Sequence, residues 1–209
     1  MKHNGSMFLF QYWNRLRARR KAPKRTDIEP ADIKAMLADT FILERDMRRA
    51  PIFRLAGTRL CATFGRELKG FSFHALWQEG DQRIVSRLVH SVFNLKSVVV
   101  IALTGTSRSG RTNRFELLVL PLDGGPDNPR VLGSIIPLDK PYWLGADPIV
   151  SCSIETLRIV DPELEPVFLK NRPEMSVPPL QPLAPRLTEP VGSGRRIRHL
   201  VVFQGGKNG

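Results

Sequence analysis

The period of the apolar positions changes several times along the chain. Between Met7 and Lys21, Leu9, Trp13 and Leu16 recur at spacings of four and three, with Phe10 and Arg17 beside them, which predicts an amphipathic helix whose stripe lies over the domain's sheet or another subunit, a lipid or nucleic-acid contact being the alternative. Asp27 or Glu29 starts a second helix, with Pro30 near its first position and Ile33, Met36 and Leu37 on its inner face, ending near Asp39. Thr40–Asp46 and Ile52–Thr58 are rich in β-formers, and the charged MRRAP between them supplies a turn, so this stretch predicts a hairpin. The hairpin leads into a short helix over Arg59–Phe64, with Leu60, Cys61 and Phe64 on one face, which Gly57 opens and Gly65 ends. Gly70–Trp77 is a dense apolar cluster with one short helical turn. Asp81 is a plausible cap for a longer helix to about Leu95, whose stripe is Ile84, Leu88, Val92 and Leu95, widened by Val85, Val89 and Phe93. Three strands are expected next, Ser97–Thr106, Arg114–Leu122 and Arg130–Leu138, joined by the turn sequences SRSGR and DGGPDNP.

This order predicts an α+β fold: a five-stranded antiparallel sheet with helices on one face and a flanking helix at the N-terminus. The expected segments are a basic N-terminal helix over 1–25 and a domain over 26–145, followed by an additional strand or return segment over 146–160. A Pro-rich linker containing PPLQPLAPRL follows over 161–194, and a basic-apolar tail, RRIRHLVVF, over 195–209. Such a tail either frays or docks as a strand, on its own sheet or on a partner.

The stretch TFILERDMRRAPIFRLAGTRLCATFGRELKG, with its FILE, RLAGT and ELKG elements, resembles a PAS-domain family of small, mostly alphaproteobacterial proteins. The upstream YWNRLRARRKAPKRTDIEP matches the family's opening pattern at Tyr12, Trp13, Leu16, Arg17, Arg20, Pro23, Arg25, Asp27 and Pro30, and the resemblance weakens after about Leu144. It implies a non-enzymatic sensory or regulatory protein in the cytoplasm, acting through a small ligand held between sheet and helices, through protein contacts, or both. An interior of this kind draws on Phe41, Leu43, Phe53, Leu55, Phe73, Trp77 and Val89, and Glu44 and Arg54 face each other across the hairpin. The resemblance also implies a homodimer through the N-terminal helix, with Phe10, Trp13 and Leu16 as contacts, and output through a separate signalling protein.

Charge adds a rival reading. The net charge of +12 is concentrated at the ends: residues 1–25 hold eight Lys or Arg and no acid, residues 186–209 hold five against one, and the body between is balanced at 19 of each sign. Arg15, Arg19, Arg20 and Lys21 at one end and Arg195, Arg196 and Arg198 at the other are candidate contacts for a nucleic acid. No apolar run approaches the roughly 18–20 residues needed to span a bilayer, and the two cysteines, Cys61 and Cys152, are expected as thiols. Chemistry is sparse: nucleophile-elbow, phosphate-loop, HExxH and CxxC patterns are absent, and His3, His74, His90 and His199 lack metal-ligand spacing. His90 sits on the long helix where a haem ligand could stand, but Arg87 and Asn94 share its side and argue against haem. The surroundings of Cys61 and Cys152 lack the Asn-Cys-Arg motif of flavin photosensors, which argues against flavin.

Overall fold

The computed structural model describes residues 1–124, 129–163, 195–197 and 200–202. One compact unit, Met1–Asn171, is built on an antiparallel sheet of β1 (Thr40–Arg45), β2 (Pro51–Ala56), β3 (Val98–Ser107), β4 (Thr112–Leu122), β5 (Arg130–Pro137) and β6 (Ile149–Val160). Their order across the sheet is β2-β1-β5-β4-β3-β6. To the five expected strands the segment left open as an additional strand or a return adds a sixth: the β-branched run of β6 pairs along the whole of β3, from Val98 opposite Val160 to Ser107 opposite Ile149. The second unit, Arg172–Gly209, contains β7 (Arg195–Ile197) and β8 (Leu200–Val202), an antiparallel pair. Beyond residue 163 the Pro-rich segment lies outside the described residues.

Among the described residues the unit contains three α-helices: α1 (Asn4–Arg17), α2 (Thr58–Phe64) and α3 (Glu79–Leu95). The helix expected after Asp27 is replaced by three 3-10 turns, Arg25–Asp27, Pro30–Ile33 and Leu37–Asp39. Backbone bonds explain this. Asp123 N–H donates to the Pro23 carbonyl at 2.8 Å, Arg25 N–H donates to the Asp123 carbonyl at 3.0 Å, and Glu29 N–H donates to the Tyr12 hydroxyl at 2.9 Å. These tethers hold the chain extended between turns, and Pro30 cannot donate, so an α-helix does not propagate.

Helical elements cover both faces of the sheet, the expected helices on one and the N-terminal flanking helix on the other. On the inner face, α2, the turn Phe73–Leu76 and α3 pack over Phe41, Leu43, Phe53, Leu117, Val119, Val131 and Ile135. On the outer face, α1 and the first 3-10 turns pack over Val98, Val100, Leu118, Leu120 and Leu132. Two polar contacts fix α1 there. The Trp13 indole N–H donates to the Pro121 carbonyl at 2.7 Å, inside the buried layer. Buried Glu116 accepts from Lys2 N–H at 2.6 Å and His3 N–H at 3.1 Å, just ahead of the first helical turn.

Asp81 does not cap α3, which begins two residues earlier; its carboxylate accepts the Ile154 N–H of β6 at 2.8 Å. The buried stripe of α3 is Val85, Val89, Val92 and Phe93, while Ile84 and Leu95 are exposed, so the apolar face is rotated from the expected one. Glycine is required at two close approaches. A Cβ on Gly133 of β5 would lie 2.2 Å from the ring of Phe41 on the neighbouring strand, and one on Gly57 would lie 2.1 Å from the Leu37 carbonyl oxygen.

Two stability measurements check this layering by urea denaturation. Gly133→Ala should cost about 1–3 kcal/mol by forcing the Phe41 ring out of place. Trp13→Ala should cost about 3–5 kcal/mol at any protein concentration, since the side chain is buried within its own chain.

Candidate functional site

The interior is built around four aromatic rings. Phe41 and Phe53 come from the opening hairpin, Phe73 from the turn that follows α2, and Trp77 from the end of that turn. Ring centroids are 5.5 Å apart for Phe41–Phe53 and Phe53–Phe73, 5.8 Å for Phe41–Phe73 and 6.0 Å for Phe73–Trp77, within the range of tilted and edge-to-face contacts. Leu43 and Val89 belong to the same buried cluster. Six of the seven expected interior residues are therefore brought together.

The seventh, Leu55, is not. A register shift between Ile42 and Leu43 leaves Arg54 without a Cα partner on β1, so Phe53 sits opposite Leu43 while Leu55 sits opposite Ile42. One extra residue reverses the facing of the strand, and Leu55 turns to the other side, 50% exposed. There it lines an apolar groove of about 260 Å³ with Ile28, Ile33 and Leu37. Glu44 faces Arg54 at 3.9 Å, as the hairpin suggested, but its closer partner is Arg130 at 2.9 Å.

A family model of the PAS domain matches residues 1–136. The chain belongs to this family. The match includes α1, so the N-terminal helix is part of the PAS module, while β6 lies beyond the matched residues. No curated protein matches the chain. Among solved structures, the PAS protein is similar to the LOV protein of Rhodobacter sphaeroides, at 14% identity and a TM-score of 0.41 over 55% of this chain and 71% of that one. It is similar also to the PAS domain of an HTR-like protein from Haloarcula marismortui, at 18% identity and a TM-score of 0.39 over 52% of this chain and 90% of that one. PAS domains are sensory and regulatory modules, and this chain carries one.

The other candidates are placed as follows. Phe10 and Trp13 are buried in the outer layer of their own chain, and Leu16 is half-buried against the same cluster. The basic N-terminal residues are partly committed: Arg20 pairs with Asp27 at 2.7 Å, Arg15 lies over the Tyr12 ring, and Arg19 and Lys21 are exposed. Arg195 and Arg196 lie in β7, and Arg198 is outside the described residues. His90 is exposed on α3, with Asn94 Nδ2 at 2.8 Å from its Nε2. Among the described residues no helix is long and apolar enough to cross a membrane, and no three His, Cys, Asp or Glu residues gather as a metal site.

Sequence reading missed several interior residues. Leu60 and Phe64 were recognised on α2, but Leu68, Ile149 and Cys152 also close the cluster. Ile149 and Cys152 come from the strand whose pairing the sequence left open. Two donors in this region are buried without a hydrogen-bond partner among the described residues, Trp77 Nε1 and His74 Nε2. Burial alone holds the His74 imidazole below its ordinary pKa, so it is neutral at pH 7.

The two thiols differ in the same way. Burial pushes the Cys152 thiol up to about 12, so it carries almost no thiolate at neutral pH, whereas Cys61 is only half-buried, on α2. Titration with a thiol-specific disulfide reagent at pH 8 should therefore label one cysteine in the native protein and both in denaturant. Rapid native labelling of both would show that the interior opens far more readily than this packing allows.

Proposed function

We propose that this PAS protein is a non-enzymatic sensory and regulatory protein whose input is a small ligand, a protein contact or both, and whose N-terminal helix carries the output to a separate signalling protein. The observation supporting this is that α1 and the aromatic cluster contact opposite faces of the same strands. On β4, Leu117 and Val119 face the aromatic layer while Glu116, Leu118 and Leu120 face α1. Interiors are close-packed, so displacement of the inner residues moves the strand that α1 rests on.

Two polar latches, Trp13 on Pro121 and the backbone ahead of α1 on Glu116, hold the helix in its docked position. Release of α1 would expose Phe10 and Trp13, and a homodimer or partner contact built on these residues requires that release. The nucleic-acid alternative draws less support, because Arg20 is neutralised by Asp27 and Arg15 is stacked on Tyr12.

The test joins two measurements on protein purified from its own host. Native mass spectrometry should show a bound small molecule or partner chain that is lost on unfolding, and hydrogen exchange over residues 4–17 should change when that species is removed. A bound species whose removal leaves exchange in α1 unchanged contradicts the role given to the helix. A bare monomer that turns over a substrate contradicts the regulatory reading as a whole.

A further inference from the structure

The last residue of β1 and the turn that follows it carry three arginines over the C-terminal half of α3. Arg45, Arg48 and Arg49 line a cavity of about 230 Å³ together with His74, Ser86 and His90, and its apolar floor includes Val89 and Phe93. Ser86, Val89, His90 and Phe93 recur at spacings of three, four and seven, so α3 presents one continuous face to it. Among the described residues no carboxylate lines this cavity. The acid in the turn itself, Asp46, is committed elsewhere: its Oδ1 accepts from the N–H groups of Arg48 at 2.9 Å and Ala50 at 2.8 Å and so shapes the turn.

The three guanidiniums therefore make no ion pair among the described residues, and the single Asp46 carboxylate in the turn balances only one of their three charges. Arg45 is the most enclosed; it lies 4.6 Å over the Phe93 ring and donates to Asn94 Oδ1 at 2.9 Å, both neutral partners. Burial first, and the neighbouring Arg49 second, hold Arg45 below the ordinary arginine pKa. Arg48 and Arg49 are exposed and make no ion pair among the described residues. Arg49 is held at φ +63°, a left-handed backbone that non-glycine residues adopt at a cost. His74, lining the same cavity, has its Nε2 buried and without a partner among the described residues.

We propose that this cleft binds a small-molecule oxyanion of the phosphate-monoester class, with the three guanidiniums on its oxygens and Val89 and Phe93 beneath its organic part. Three separate guanidinium groups suit a dianion with three acceptor oxygens better than a carboxylate with two, since each planar fork can take its own oxygen. The apolar floor gives the site a reason to prefer an ester over free phosphate. Because Val89 and Phe93 belong also to the interior cluster, an occupied cleft touches the same packing that faces the sheet. The proposal goes beyond the regulatory reading and does not depend on it, since binding is measured on the full chain whether or not α1 responds.

The experiment is isothermal titration of the full chain with phenyl phosphate, inorganic phosphate and acetate at constant ionic strength. Saturable one-to-one binding is expected, tighter for phenyl phosphate than for inorganic phosphate and weakest for acetate. R48Q/R49Q should weaken phenyl phosphate binding by about tenfold or more, and R49K, which keeps the charge but loses the fork, should fall between. R19Q/K21Q, which removes the same charge from the N-terminal segment, should bind as the parent does. The proposal is overturned by unchanged affinity in R48Q/R49Q, by an equal loss in R19Q/K21Q, by acetate binding as well as phosphate, or by no binding at millimolar ligand. The substituted side chains are exposed, and matching circular dichroism and melting curves would show that the fold is retained.

Discussion

A sheet that is apolar on both faces must be covered on both faces, and the architecture follows from that requirement. Every residue of β4 from Phe115 to Leu122 is buried, as are those of β5 from Val131 to Pro137. Burying a Leu or Phe side chain is worth about 1.5–3 kcal/mol, so leaving the outer residues Leu118, Leu120 and Leu132 in water would forfeit much of a typical domain's net stability. The chain meets the requirement locally, with α2 and α3 on one face and α1 with the 3-10 turns on the other. The N-terminal helix is thus a structural layer before it is anything else.

That placement decides how the basic N-terminus is understood. An amphipathic helix with arginines on one side can be read as a lipid, nucleic-acid or subunit contact. Here its apolar side is occupied by the sheet, and its cations serve the packing: Arg17 lies over Trp13 and donates to Asn14 Oδ1, and Arg20 closes onto Asp27. Any external role for the apolar stripe has to compete with the Trp13 and Glu116 contacts.

Much of this was legible in the sequence, and what was not has definite causes. The strands, the long helix and the FILE to ELKG stretch were readable because their periodicity is local, and Gly57 and Gly65 marked α2 for the same reason. The two-faced burial was present in FELLVLPL, a near-continuous apolar run where a half-exposed antiparallel strand would alternate. Leu55 was misplaced because a bulge opposite Ile42–Leu43 is a property of two strands together, invisible to the periodicity of either. The expected helix after Asp27 failed because long-range partners, Tyr12 and Asp123, claim its backbone groups. The arginine cleft was hidden for a related reason. MRRAP read as a charged turn, and only the fold brings it against His74 and the Ser86–Phe93 face of α3.

The claim on which the account rests is that α1 is a docked layer of its own domain. The most direct measurement is the exchange of the Trp13 indole proton by NMR in ¹⁵N-labelled protein. A docked helix gives slow exchange, matching the amides of β4, and no dependence on protein concentration. Rapid exchange with water, or protection that appears only as concentration rises, would show that the helix is free or belongs to an intermolecular contact, and would contradict it.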